Sequence, residues 1–133
     1  MATPSFYEAV MRVSGDADAR SVRRASAAVL RALRDRLTPD EAAQVAAQLP
    51  EELKKVWWEG EASGRRPLKL IRDEFFERVR GDADLTSKEE ARWLTLGVFA
   101  ALKAQLSRGE AKDVLAQLPK DLKEVWVEAE IRV

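Results

Sequence analysis

An all-α fold is predicted for this 133-residue sequence by three observations. Apolar residues recur at three- and four-residue spacing, with helix-start residues ahead of each run. No window alternates apolar and polar residues over the length of a strand. The chain also repeats itself: Leu37–Glu59 (LTPDEAAQVAAQLPEELKKVWWE) and Leu106–Glu128 (LSRGEAKDVLAQLPKDLKEVWVE) are identical at 13 of 23 positions at an offset of 69. The same offset pairs Arg23 with Arg92, Val29 with Val98 and Leu33 with Leu102. Phe6, Glu8 and Val10 match Phe75, Glu77 and Val79 in the same way, but the tetrapeptides Gly15–Asp18 and Gly81–Asp84 match at 66. That mismatch predicts three extra residues after Asp84. The expected architecture is a tandem duplication of a four-helix unit, packed as one helical bundle with approximate two-fold symmetry. Residues 1–133 then form a single compact domain of two repeats, 4–60 and 67–130, joined by a short linker, 60–67.

The elements follow in order. Thr3 can cap a helix that starts at Pro4 and places Phe6, Val10 and Val13 on one face. Gly15-Asp16-Ala17-Asp18 ends that helix and caps the next, which runs to about Arg36. Thr38-Pro39-Asp40-Glu41 combines a hydroxyl cap, a proline at the first helical position and a glutamate three residues after the cap, the pattern of a capping box. Ser107 and Glu110 repeat it. Pro50 and Pro119 interrupt the chain and can each start a fourth helix, since the missing amide costs nothing there. Glu51 and Glu52 then meet the positive end of the helix dipole.

Spacing selects a core of Phe6, Val10, Val22, Val29, Leu33, Leu37, Val45, Leu49, Leu53, Val56 and Trp57 in the first repeat. In the second it selects Phe75, Val79, Val98, Leu102, Leu106, Val114, Leu118, Leu122, Val125 and Trp126. So short a unit buries its apolar face poorly alone, so the repeats are expected to pack on each other. In the second long helix, Trp93, Leu96 and Ala100 replace Arg24, Ala27 and Arg31, making it apolar nearly all round. Such a helix belongs either at the centre of the monomer or at the seam of a homodimer.

Composition narrows the chemistry. Cys and His are absent, which removes thiolate nucleophiles, zinc fingers, imidazole bases and the usual transition-metal ligands. Carboxylates alone would have to hold any metal, without the Glu-x-x-His pairs of helical di-metal sites. No nucleophile sits with an evident base, and no glycine-rich phosphate loop occurs. The expectation is a protein that is not an enzyme, with no catalytic residue, cofactor or metal. No apolar run is long enough for a membrane span and the first residues lack the pattern of a signal peptide, so a cytoplasmic location is expected. Absent Asn and Cys with many mixed charges also fit a heat-adapted protein, although a GC-rich genome alone would favour Ala and the 15 Arg over 8 Lys.

Three features remain as candidates for contact with partners. Arg20, Arg23, Arg24, Arg31 and Arg34 fall within about a 100° arc of one helix, a face that could neutralise phosphates. Zero net charge and the absence of interleaved aromatics favour an ordinary solvated face. Trp58 and Trp93 have no Trp at the matching position, and an exposed Trp suits a binding hot spot, although packing between the repeats is the favoured reading. The duplicated corners Gln48-Leu49-Pro50 and Gln117-Leu118-Pro119 read as architecture, with each Gln bonding carbonyls left open where its helix stops.

The stretches AVLRALRDRLTPDEAA (Ala28–Ala43) and AQLPEEL (Ala47–Leu53) resemble the signature of the bacterial domain-of-unknown-function family 2267. So do SRGE (Ser107–Glu110), DVLAQLPKDL (Asp113–Leu122) and Trp126 in the second half. The resemblance extends from about Phe6 to Trp126 and implies a small helical bacterial cytoplasmic protein with a duplicated core. It implies no activity and supplies no catalytic residues. Trp57-Trp58 depart mildly from it, standing where members often have Tyr or another aromatic. The leading expectation is an interaction or scaffold protein that forms a homo-oligomer or binds another protein, with nucleic-acid binding through the arginine face as the alternative.

Overall fold

The computed structural model describes residues 3–62 and 64–131. These form eight α-helices, with no strand among the described residues: α1 Thr3–Ser14, α2 Ala19–Arg36, α3 Pro39–Ala47, α4 Glu51–Trp58, α5 Arg72–Asp82, α6 Lys88–Gln105, α7 Arg108–Ala116 and α8 Lys120–Glu128. Helix α1 begins at Thr3, one residue before the expected start at Pro4, and the expected Thr3 side-chain cap lies outside the described residues.

Local chemistry explains most boundaries. Gly15, at φ +78°, turns the chain after α1, and the Asp18 carboxylate accepts the Arg20 and Ser21 amides to cap α2. Thr38 and Ser107 cap α3 and α7 through hydroxyls that accept the Glu41 and Glu110 amides at 3.2 and 3.1 Å. Pro50 and Pro119 stand one residue before α4 and α8, and their carbonyls accept the first intrahelical bonds.

The expected three-residue insertion after Asp84 is absent. α5, α6 and α7 each begin 69 residues after α1, α2 and α3. The two Gly-Asp-Ala-Asp segments are similar letters with different jobs. Gly15–Asp18 forms a loop, whereas Gly81 and Asp82 still belong to α5, and the chain turns at Asp84, with φ +54°. An aspartate tolerates that left-handed conformation better than most residues.

One hydrophobic cluster draws on all eight helices. Every residue of the expected core is buried except Val56, which is partly buried. Helix α6 is the central helix, packed against α1, α2, α5 and α8. Helix α1 lies across α6 and α5 packs against α2, so the first helix of each segment rests on the long helix of the other. Gly97 permits the α1–α6 approach: a Cβ there would stand 2.8 Å from the Val10 carbonyl oxygen.

The 60–71 segment is tied down by Arg65, which donates to the carbonyls of Leu37 and Arg34 at 2.7 Å each, and by Leu68, whose amide donates to the Asp35 carbonyl at 2.8 Å. Both contacts use carbonyls at the C-terminal end of α2, of which Arg34's also accepts the Leu37 amide at 3.1 Å.

Candidate functional site

The arginine arc does not present five free guanidinium groups. Arg34 is buried, at 3% exposure, because its guanidinium closes the C-terminal end of α4. It donates to the carbonyls of Trp57 and Glu59 at 2.7 Å each and pairs with Asp35 at 2.9 Å. Lys103, at the matching position of α6, donates to the carbonyls of Trp126 and Ala129 at 2.8 Å each. A cation at this position therefore closes a helix end in both segments. Burial of Lys103 lowers its pKa.

Arg31 donates to the Val56 carbonyl and pairs with Glu59 at 2.9 Å. Arg23 is exposed but stacks over the Tyr7 ring, 4.5 Å from its centre. Arg20 and Arg24 are exposed. Helical spacing placed all five on one arc but could not show that α4 would lie against one edge of it.

Both candidate tryptophans reach the surface, Trp58 at 38% and Trp93 at 43% exposure. Trp58 ends α4. Trp93 stands on α6, where its indole N–H donates to Glu89 at 3.0 Å and the Arg92 guanidinium lies 5.1 Å from its ring. Trp93 lines two clefts: one of about 180 Å³ with Arg12, Val13, Leu96 and Glu128–Glu130, and one of about 390 Å³ with residues of the Gly15–Asp18 loop.

The Gln-Leu-Pro corners differ from expectation. Gln48 does not bond carbonyls of its own helix. Its Oε1 accepts the Ser107 amide at 2.7 Å, and its Nε2 lies 3.4 Å from the Ser107 hydroxyl. Gln117 does the same in the opposite direction, accepting the Thr38 amide at 2.9 Å with Nε2 3.3 Å from the Thr38 hydroxyl. Each glutamine completes the helix cap of the other segment.

That exchange rearranges the capping boxes. In an ordinary box the third-position glutamate reaches back to the cap amide. Here the opposite glutamine takes that amide, and Glu41 and Glu110 turn inward between α3 and α7, at 8% and 6% exposure. Oε2 of each finds no hydrogen-bond donor among the described residues. Oxygens of Glu41, Glu110 and the exposed Asp113 all lie within 4.8 Å of one another. Burial first, and then the facing Glu41 carboxyl, push Glu110 up to about 8, and Asp113 adds to the shift. Composition gave no hint of this cluster. The available signal was a pair of matching glutamates whose cap amides had been claimed by matching glutamines.

A second charged centre ties the segments together at Asp35, which accepts from Arg34 at 2.9 Å and from Arg78 of α5 at 2.7 Å. Burial alone would raise the Asp35 pKa, but the two guanidinium groups outweigh it and hold the carboxyl below its ordinary value.

These contacts define a small all-helical protein whose recurring polar residues close helix ends and join its two segments. The family described as an uncharacterized conserved protein, DUF2267, matches residues 3–125, and the chain belongs to that family. No curated protein matches the chain. Among the described residues, no helix is long and apolar enough to cross a membrane.

Proposed function

We propose that this chain is a non-enzymatic helical interaction module that pairs with a second copy of itself over the Trp93 face. The observation behind this reading is the 43% exposure of Trp93 beside a run, Leu94–Leu102, that is buried throughout. Large aromatics of this kind dominate binding energy when a partner covers them. The surroundings contain both signs of charge, with Arg12 and Arg92 near Glu89, Glu128 and Glu130. A mixed patch can complement itself, as a two-fold contact between identical chains requires.

Size-exclusion chromatography with light scattering across micromolar concentrations tests this. The expected result is a mass rising towards twice 14.9 kDa and a return to monomer in Trp93→Arg, which installs the residue type found at the matching Arg24. A strict monomer at every concentration overturns it.

The same reading treats the chain as two copies of one four-helix unit about an approximate two-fold axis. The reciprocal glutamine contacts and the constant offset of helix starts support it. Nucleic-acid binding has thinner support, because Arg31 and Arg34 are engaged by α4 and the chain has no net charge. Fluorescence anisotropy with single-stranded and duplex oligonucleotides at low salt, comparing the wild type with Arg20→Glu/Arg24→Glu, discriminates it.

A further inference from the structure

We propose that Glu41, Glu110 and Asp113 hold one hard divalent cation, of the calcium class, in the seam between α3 and α7. Three carboxylates converge there from two helices, with their oxygens within 4.8 Å of one another. Such a triangle encloses a centre within about 2.8 Å of all three oxygens, close to the roughly 2.3–2.6 Å of calcium–oxygen bonds. The donor set is all oxygen, which suits calcium, magnesium or manganese rather than softer metals.

Proximity alone would be weak, since acidic surface groups commonly cluster without a ligand. Two of these three are not on the surface. Glu41 and Glu110 are more than nine-tenths buried, and Oε2 of each lacks a donor, while Glu41 Oε1 accepts from Gln117 Nε2 at 3.4 Å. No Lys or Arg forms an ion pair with either among the described residues. Burying carboxylates without a counter-charge is costly; the positive ends of α3 and α7 offset part of that cost, and in the cation-free chain a proton held on Glu110, pushed up to about 8, offsets more.

A cation takes the place of that proton, and the exposed Asp113 gives it a route from solvent, where water can complete the coordination shell. Because α3 and α7 lie in different segments, the ion would clasp the two together. The site is separate from the Trp93 face, so its test is independent of self-association.

The test is calorimetric titration of the chelator-treated full chain with calcium and manganese chloride near neutral pH, accompanied by melting curves. Saturable one-to-one binding is expected, with a melting temperature that rises with cation concentration. Glu110→Gln is expected to weaken binding by at least about tenfold, the loss that follows even from changing a residue that only orients a metal ligand. Asp113→Asn, a change at an exposed position, should weaken it without lowering the metal-free melting temperature, since it also removes a charge that repels Glu110. The proposal is overturned by no saturable binding at millimolar cation, or by binding unchanged in both variants. It is equally overturned if Glu110→Gln raises the melting temperature and the wild type ignores cations, which assigns the buried pair to a shared proton.

Discussion

The Ser107 amide donates to Gln48 Oε1 at 2.7 Å, so the cap of α7 is completed by a side chain 59 residues earlier. Gln117 returns the contact to Thr38 across 79 residues. Local helix-cap chemistry has become a tie between distant segments, and with it the two cap glutamates are released to face each other.

Truncating either glutamine should therefore loosen the seam. Gln48→Ala and Gln117→Ala are each expected to cost about 0.5–1.5 kcal/mol, the usual range for such a hydrogen bond. Gln117 also donates from Nε2 to Glu41 Oε1 at 3.4 Å, a contact Gln48 lacks, so Gln117→Ala should cost the more of the two. Urea unfolding measures both. The freed glutamate can then swing back to its own cap amide, which would lower the loss; a negligible cost in both variants would mean the crossed caps add nothing.

Much of the fold was legible in the sequence because helix starts and apolar spacing are local signals. Thr38, Ser107 and Asp18 cap where expected, and the core follows the spacing almost throughout. What escaped depends on the approach of separate helices. Arg34 looks like an exposed member of a stripe until α4 places its open carbonyls over it. Gln48 looks like a local cap until α7 arrives. The 66-residue match of Gly-Asp-Ala-Asp misled because only backbone geometry separates a loop from a helix end.

Arg34→Ala should be among the most damaging single changes. It unpairs two carbonyls at the end of α4 and removes a guanidinium from Asp35. Losing one partner of a buried charge pair costs about 3–5 kcal/mol. Lys103→Ala also frees two carbonyls but breaks no ion pair among the described residues, so its cost should be smaller. Thermal unfolding of both variants ranks them, and equal effects would refute the distinction.

Asp35 predicts an acid-sensitive fold. Its pKa in the folded chain lies below the ordinary 3.8. The unfolded chain therefore takes up the proton more readily on acidification, and the stability from Asp35 is present above 3.8 and lost as pH falls through the folded value. Asp35→Asn should destabilise near neutral pH, with the gap from wild type closing at lower pH. Denaturation midpoints collected from pH 7 to pH 2.5 provide the check; a constant gap would contradict it.

Gly97→Ala sets two effects against each other. In an isolated helix the change should help by about 1 kcal/mol, since alanine is the better helix former. In this chain the added Cβ would meet the Val10 carbonyl oxygen at 2.8 Å and Val10 Cγ1 at 3.2 Å. The oxygen belongs to backbone, so α1 must move as a unit, and overpacking of this kind costs about 1–3 kcal/mol. The steric effect should win and the variant should melt lower than wild type. Adding Val10→Ala removes Cγ1 but leaves the oxygen, so the double variant should not recover. If it regains wild-type stability, the side chain rather than the backbone sets the approach of α1 to α6.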